Sequence, residues 1–112
     1  MLKDLFFNNK TLKVVSLNNC HIGESGASQV SRGIGFSPTL KSLSLASNDM
    51  GDEGAEYFLE PFFMNTLELN YFNLSNNQIS DKGGIKLIKG LMCNRSLSVI
   101  DLRHNSLSDK TA

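Results

Sequence analysis

The sequence predicts an α/β solenoid, a curved stack of short parallel strands on one face and helices on the other. An apolar pattern recurs along the chain, its copies are evenly spaced, and each of the first three is followed by a glycine and a helical apolar stripe. At 112 residues the chain fits one domain, and an apolar fraction of 40% is ordinary for a folded domain.

The strand pattern is Leu-x-x-Leu-x-Leu-x-x-Asn-x-Leu, with tolerated swaps, in four copies. Successive copies start 28, 29 and 28 residues apart, at Leu12, Leu40, Leu69 and Leu97. Alternation places Leu43 and Leu45 on one side of a short strand and Ser44 on the other. A single strand cannot bury these leucines, so the units must stack, at roughly 2 kcal/mol for each fully buried side chain.

A second feature follows each of the first three copies, 14 residues after its first leucine. There the chain carries Gly26, Gly54 and Gly83. Apolar pairs at helical spacing come next: Val30 and Ile34, Phe58 and Phe62, Leu87 and Leu91. We expect each glycine to open an outer helix, where the backbone either needs a positive φ or passes close to its neighbour. Acidic residues just before the glycines, Asp52, Glu53 and Asp81, suit a helix N-terminus.

The turn after each strand leaves backbone groups without partners in the sheet. One column of the repeat falls in this turn, and it contains Cys20, Asn48, Asn77 and Asn105. A side-chain amide both donates and accepts, so these asparagines predict a ladder that satisfies the turns of adjacent repeats. We interpret Cys20 as a small apolar member of the same column with one weak hydrogen bond.

These residues resemble the leucine-rich repeat family, and the period resembles its ribonuclease-inhibitor-like class, which includes the arms of nucleotide-binding immune receptors and the Ran GTPase-activating protein. The resemblance implies a right-handed βα superhelix with strands on the concave face and helices on the convex face. It also implies binding of a protein partner. We expect one domain over residues 1–112, with a partial helix over 1–11, repeats over 12–39, 40–68 and 69–96, and a partial repeat over 97–112.

The concave face would carry the strand positions that are not leucines. Most are small and polar, which suits either a merely solvated sheet or a binding surface. The last two repeats differ from the first two because they gather larger and charged side chains: Tyr71, Asn73, Asp101, Arg103 and His104. Tyr and Arg are enriched at binding hot spots. We therefore predict partner contacts at these five residues.

Several other functions are disfavoured. Eleven basic and eleven acidic side chains cancel, so no net field attracts nucleic acid or an anionic membrane. We expect no membrane segment, metal, cofactor or catalytic activity, since neither Cys20 with His21 nor Cys93 has ligand spacing and Asp101 to His104 lacks a nucleophile. Two cysteines at unlike repeat positions predict free thiols and a cytoplasmic protein.

Three functions remain open: a scaffold or recognition arm, a regulator of a small GTPase, and a spacer in a cytoskeletal or ciliary assembly. The partner's identity is open in each. Both ends fall within a repeat and neither shows a polar cap. The chain is then a piece of a longer repeat protein, a unit that stacks end to end with other chains, or a small variant with frayed ends.

Overall fold

The computed structural model describes residues 13–35, 39–60, 68–91 and 96–107. Strands and helices alternate along these ranges, and each strand is three residues long. In chain order the elements are β1 (Val14–Ser16), α1 (Gly23–Ile34), β2 (Ser42–Ser44), α2 (Gly51–Glu56), β3 (Tyr71–Asn73), α3 (Asp81–Leu91) and β4 (Val99–Asp101). This order confirms the predicted α/β solenoid.

The strands form one parallel sheet in the order β1-β2-β3-β4. Equivalent positions of successive repeats lie opposite one another, as Ser44 does to Ser16 and to Asn73. The register continues past the strands, because the Leu17, Leu45 and Leu74 amides donate to the carbonyls of the next repeat. The repeat frame read from the sequence is therefore the frame in which the strands pair.

One side of the sheet packs against the helices and forms the core. The repeated apolar positions of the two central units are fully or almost fully buried: Leu40, Leu43, Leu45, Met50, Leu69, Phe72, Leu74 and Ile79. The helices contribute Val30, Ile34, Leu87 and Leu91, as the helical spacing predicted, and the turn just after α2 contributes Phe58. Phe58 lies across from Phe72, with ring centroids 5.2 Å apart. Phe62 and the partial helix predicted over residues 1–11 lie outside the described residues.

The prediction that the repeated glycines open the helices is wrong. The helices begin earlier, at Gly23, Gly51 and Asp81. Close packing explains Gly54 and Gly83: a Cβ on Gly54 would lie 2.7 Å from the Met50 Cβ, and a Cβ on Gly83 would meet the Asp52 carboxylate. Left-handed backbone instead occurs at Gly23 and Gly51, with φ of 64° and 67°.

Asp52 joins two successive repeats at the start of α3. Its carboxylate accepts hydrogen bonds from the Ser80 backbone N–H at 2.8 Å and from the Ser80 hydroxyl. Burial, the largest single influence, raises the pKa of Asp52. Hydrogen bonds from Ser80 and Gly83, with the charge of Lys82, outweigh it and leave the pKa below its ordinary value. The Asp52 carboxylate, on α2, thus caps the N-terminus of α3 in the following repeat.

Candidate protein-binding face

The turns that follow the strands are held by the predicted column of asparagines. The Asn77 Oδ1 accepts from the Asn48 and Met50 amides, while its Nδ2 donates to the Leu45 and Ser75 carbonyls. Asn48 and Asn105 do the same one repeat earlier and one repeat later. We call this column the asparagine ladder. It holds in place the backbone of the turn just beyond each strand.

The ladder ends at Cys20 in the first repeat. Its backbone N–H donates to the Asn48 Oδ1 at 2.8 Å, and its thiol donates to the Asn18 carbonyl at 3.3 Å. The thiol is free and exposed, which differs from a small apolar residue inside the column. Cys93 lies outside the described residues.

The inner face is the side of the sheet that faces away from the helices. Two columns of side chains occupy it: Val14, Ser42, Tyr71 and Val99, then Ser16, Ser44, Asn73 and Asp101. In the first two repeats these side chains are uncharged and mostly small. Val14 is 68% exposed and Val99 is 50% exposed. Because Val99 pairs in register with the half-buried Tyr71, the last two repeats present an apolar strip.

Asp101 and Arg103 form the ion pair of this face. The Arg103 Nε and Nη2 donate to the Asp101 carboxylate at 2.8–3.2 Å, and the Arg103 backbone N–H donates to Oδ1 at 3.0 Å. Hydrogen bonds from the Arg103 side chain, then from its backbone, lower the pKa of Asp101 despite partial burial. Asp101 in turn raises the pKa of Arg103 through its hydrogen bonds and its charge. Tyr71 nearby raises the Arg103 pKa further.

The other two predicted contact residues flank this pair. Asn73 lies opposite Asp101 in the sheet. Its Oδ1 accepts the Ser75 backbone N–H at 2.9 Å, just as the Asp101 Oδ1 accepts the Arg103 backbone N–H one repeat later. His104 is exposed, and its backbone is left-handed with a φ of 60°. All five predicted side chains therefore lie on β3, β4 and the turn after β4.

Sequence reasoning left Val99 out of the predicted contacts. Its column could be read from the repeat, but its 50% exposure is a property of the folded chain. We name Tyr71, Val99, Asp101 and Arg103 the Tyr71 patch. Within the described ranges no three His, Cys, Asp or Glu side chains are grouped to hold a metal ion, and no helix there could span a membrane.

Comparison with known proteins finds the same repeat. A leucine-rich repeat family model matches residues 8–31, 36–59, 68–87 and 93–110. Human NACHT, LRR and PYD domains-containing proteins 5 and 2 are each 30% identical to this chain over 99 residues, or 88% of its length. The mouse protein 12 of that name is 24% identical over 99 residues. The chain spans only 8–9% of the length of these relatives.

Solved structures share the architecture at low sequence identity. The tropomodulin C-terminal domain of Caenorhabditis elegans has a TM-score of 0.80 and 17% identity, with 93% of this chain and 63% of that chain covered. Leiomodin-1 Actin-Binding Site 2 has a TM-score of 0.82 and 20% identity, with 98% and 65% covered. At such identities the likeness is evidence for the fold. The four family matches span most of the sequence, and the chain belongs to the leucine-rich repeat family of protein-interaction modules.

Proposed function

We propose that this chain is a recognition module that binds a protein partner through its inner face, at the Tyr71 patch. The observation that carries the proposal is the grouping of an aromatic side chain on β3, an exposed aliphatic side chain on β4 and a guanidinium in the turn after β4. In the first two repeats the Tyr71 and Val99 column holds Val14 and Ser42, and the Arg103 column holds Asn18 and Ala46, so neither repeat carries an aromatic or a charged side chain there. Hot spots favour Tyr and Arg surrounded by apolar contacts, which is the composition of the patch.

Photocrosslinking tests which face meets a partner. A benzophenone amino acid at position 71 preserves an aromatic ring on the inner face, and the same group at Lys82 probes the exposed surface of α3. In native extract we expect a discrete covalent adduct from position 71 and none from position 82. Adducts from position 82 alone would contradict inner-face binding and favour the spacer alternative, in which the convex helices make the contacts.

Substitution then measures how much the patch contributes. Replacing Tyr71 and Arg103 together by Ala should weaken binding to the crosslinked partner by at least about tenfold, because each side chain is of a hot-spot type. Val14→Ala is the matched control, since Val14 occupies the Tyr71 column and is 68% exposed. Isothermal titration with the purified partner gives both affinities. Equal losses in the two variants would remove the Tyr71 patch as the binding site.

Actin is a second candidate partner. One structure with the same fold carries the description Actin-Binding Site 2, and it aligns with 98% of this chain. Co-sedimentation with actin filaments and titration of monomeric actin would test this directly. Binding to neither form would exclude actin, whereas binding lost in the Tyr71 and Arg103 double variant would join this candidate to the proposed face.

A GTP hydrolysis assay with small GTPases tests the regulatory alternative, in which the inner face would contact the nucleotide-binding protein and accelerate hydrolysis.

The exposed free thiol of Cys20 supports a reducing compartment such as the cytoplasm. Imaging of the tagged protein in its native cells would test that location.

A further inference from the structure

The two partners of the Asp101–Arg103 ion pair are exposed very unequally. The Arg103 side chain is 80% exposed, and the Asp101 side chain is 10% exposed. The Lys41–Glu68 pair offers a contrast, since its side chains are 44% and 64% exposed. A surface meeting Lys41 and Glu68 would meet both charges. A surface meeting the Tyr71 patch would meet mainly the cation.

Asp101 also fixes the orientation of that cation. Its Oδ1 accepts both the backbone N–H and the Nε–H of Arg103, and its Oδ2 accepts from Nε and Nη2. A free arginine loses rotamer freedom when it binds, and this cost lowers affinity. The hydrogen bonds to Asp101 have already removed much of that freedom. The remaining guanidinium donors are consequently presented to solvent in one direction.

An apolar strip adjoins the exposed guanidinium. Val99 is 50% exposed and is paired with Tyr71 across the sheet. Among the eight inner-face strand positions, Asp101 is the only acidic side chain, and it is shielded. The surface that remains for a partner thus combines a cation with apolar and aromatic contact area.

We propose that the Tyr71 patch binds an acidic segment of a protein, with a carboxylate of the partner on Arg103 and an adjacent apolar side chain over Tyr71 and Val99. Asp101 is then a positioning residue that acts through Arg103. This inference rests on the proposed function and adds the chemistry of the partner. A bidentate contact between guanidinium and carboxylate gives the interaction both direction and charge dependence.

Two matched peptides test the charge requirement. The acidic probe is acetyl-Glu-Leu-Asp-Phe-Glu-Leu-amide, and the neutral probe replaces each acid by its amide. Titrated into the full 112-residue chain labelled with ¹⁵N, the acidic probe should shift the amide signals of Tyr71, Val99 and Arg103. It should bind about tenfold more tightly than the neutral probe, an advantage that shrinks as salt is added.

Variants separate contact from positioning. Arg103→Gln should abolish the preference for the acidic probe, and Val14→Ser should leave it unchanged. Asp101→Asn keeps an oxygen that can accept the Arg103 backbone N–H, as Asn73 does with Ser75. It removes the charge that holds the guanidinium. We expect it to weaken acidic-probe binding several-fold and to speed solvent exchange of the Arg103 Nε–H signal, which a general loss of folding would not confine to one side chain.

The outcomes distinguish this inference from the proposed function. Equal binding of the two probes, or no binding of the acidic probe, would overturn the acidic-partner inference while a crosslink from position 71 still supported inner-face binding. Acidic-probe binding with an unchanged Arg103 Nε–H signal in Asp101→Asn would overturn the positioning role. Shifts confined to α3 would contradict the site itself.

Discussion

At the scale of single residues, Asn77 shows how one side chain can serve three segments of backbone. It is completely buried, and its four hydrogen bonds reach the turn of the preceding repeat, Leu45 just after β2, and its own turn. Asn105 makes equivalent bonds but is only half-buried, and Cys20 is exposed. Solvent exposure within this one column of the repeat thus ranges from fully buried to exposed.

Replacing Asn77 by Ala should therefore be costly. It leaves the Asn48 and Met50 amides without their acceptor at roughly 1–3 kcal/mol each, so we expect a loss of about 3 kcal/mol in the free energy of unfolding. Asn105→Ala should cost less, since water can reach the vacated groups, and Cys20→Ala should cost about 0.5 kcal/mol or less. Urea unfolding of the three variants measures these losses in the free energy of unfolding and ranks them. Similar losses in all three would contradict the role assigned to burial.

The asparagine slots could be predicted from the sequence because their spacing is that of the repeat. The left-handed backbone at Ser47 and Gln78, with φ of 59° and 60°, could not be predicted from the sequence. Neither residue type favours that conformation, so the repeat imposes it through the bonds that the ladder makes on either side. The shielding of Asp101 also escaped sequence reasoning, because it depends on the direction in which Arg103 folds back.

At the scale of elements, α3 begins under the control of the repeat before it. Asp52, in the first turn of α2, accepts the Ser80 N–H, and Gly83 leaves room for that carboxylate. Acidic residues at helix starts were predicted from the sequence, but as partners of their own helix. The contact spans 28 residues and joins two repeats, so no local pattern indicated it. We therefore expect the start of α3 to depend on α2.

Asp52→Asn tests this coupling through pH. The pKa of Asp52 is lowered below its ordinary value in the folded chain, so its stabilising effect is present above the unfolded pKa and is lost as pH falls through the folded pKa. At pH 6 the variant should be less stable by about 1–2 kcal/mol, the usual effect of losing a helix cap. The difference in stability should narrow as the pH falls below the ordinary pKa of an aspartate.

Glu53→Gln is the matched control for this measurement. Glu53 lies in the same first turn of α2 but is exposed. Its substitution should change the unfolding free energy little at any pH in the range. The lowered pKa values of Glu68 and Asp101 affect wild type and variants alike, so they cancel in the differences. A constant gap between wild type and Asp52→Asn across the range would exclude the charged cap.

At the scale of the whole molecule, burial is deepest in the two central repeats. Leu45 and Leu74 are completely buried, while Leu17 and Leu102, in the same column of the repeat, are partly exposed. The sequence predicted four equivalent leucines because it records residue types and spacing. Their unequal burial follows from stacking, since a unit receives neighbours on both sides only in the middle of the described sheet.

This gradient predicts different costs for identical substitutions. Leu74→Ala should lower the free energy of unfolding of the 112-residue chain by about 3 kcal/mol, within the usual range for a buried leucine. Leu102→Ala leaves a partly open site that water and neighbouring side chains can fill, so its cost should be about half. Hydrogen exchange should locate the difference: Leu74→Ala should raise exchange in β2, β3 and β4 together, because these strands share one core. Leu102→Ala should raise it mainly in β4, and equal costs with uniform exchange would mean that the last strand is as tightly coupled as the centre.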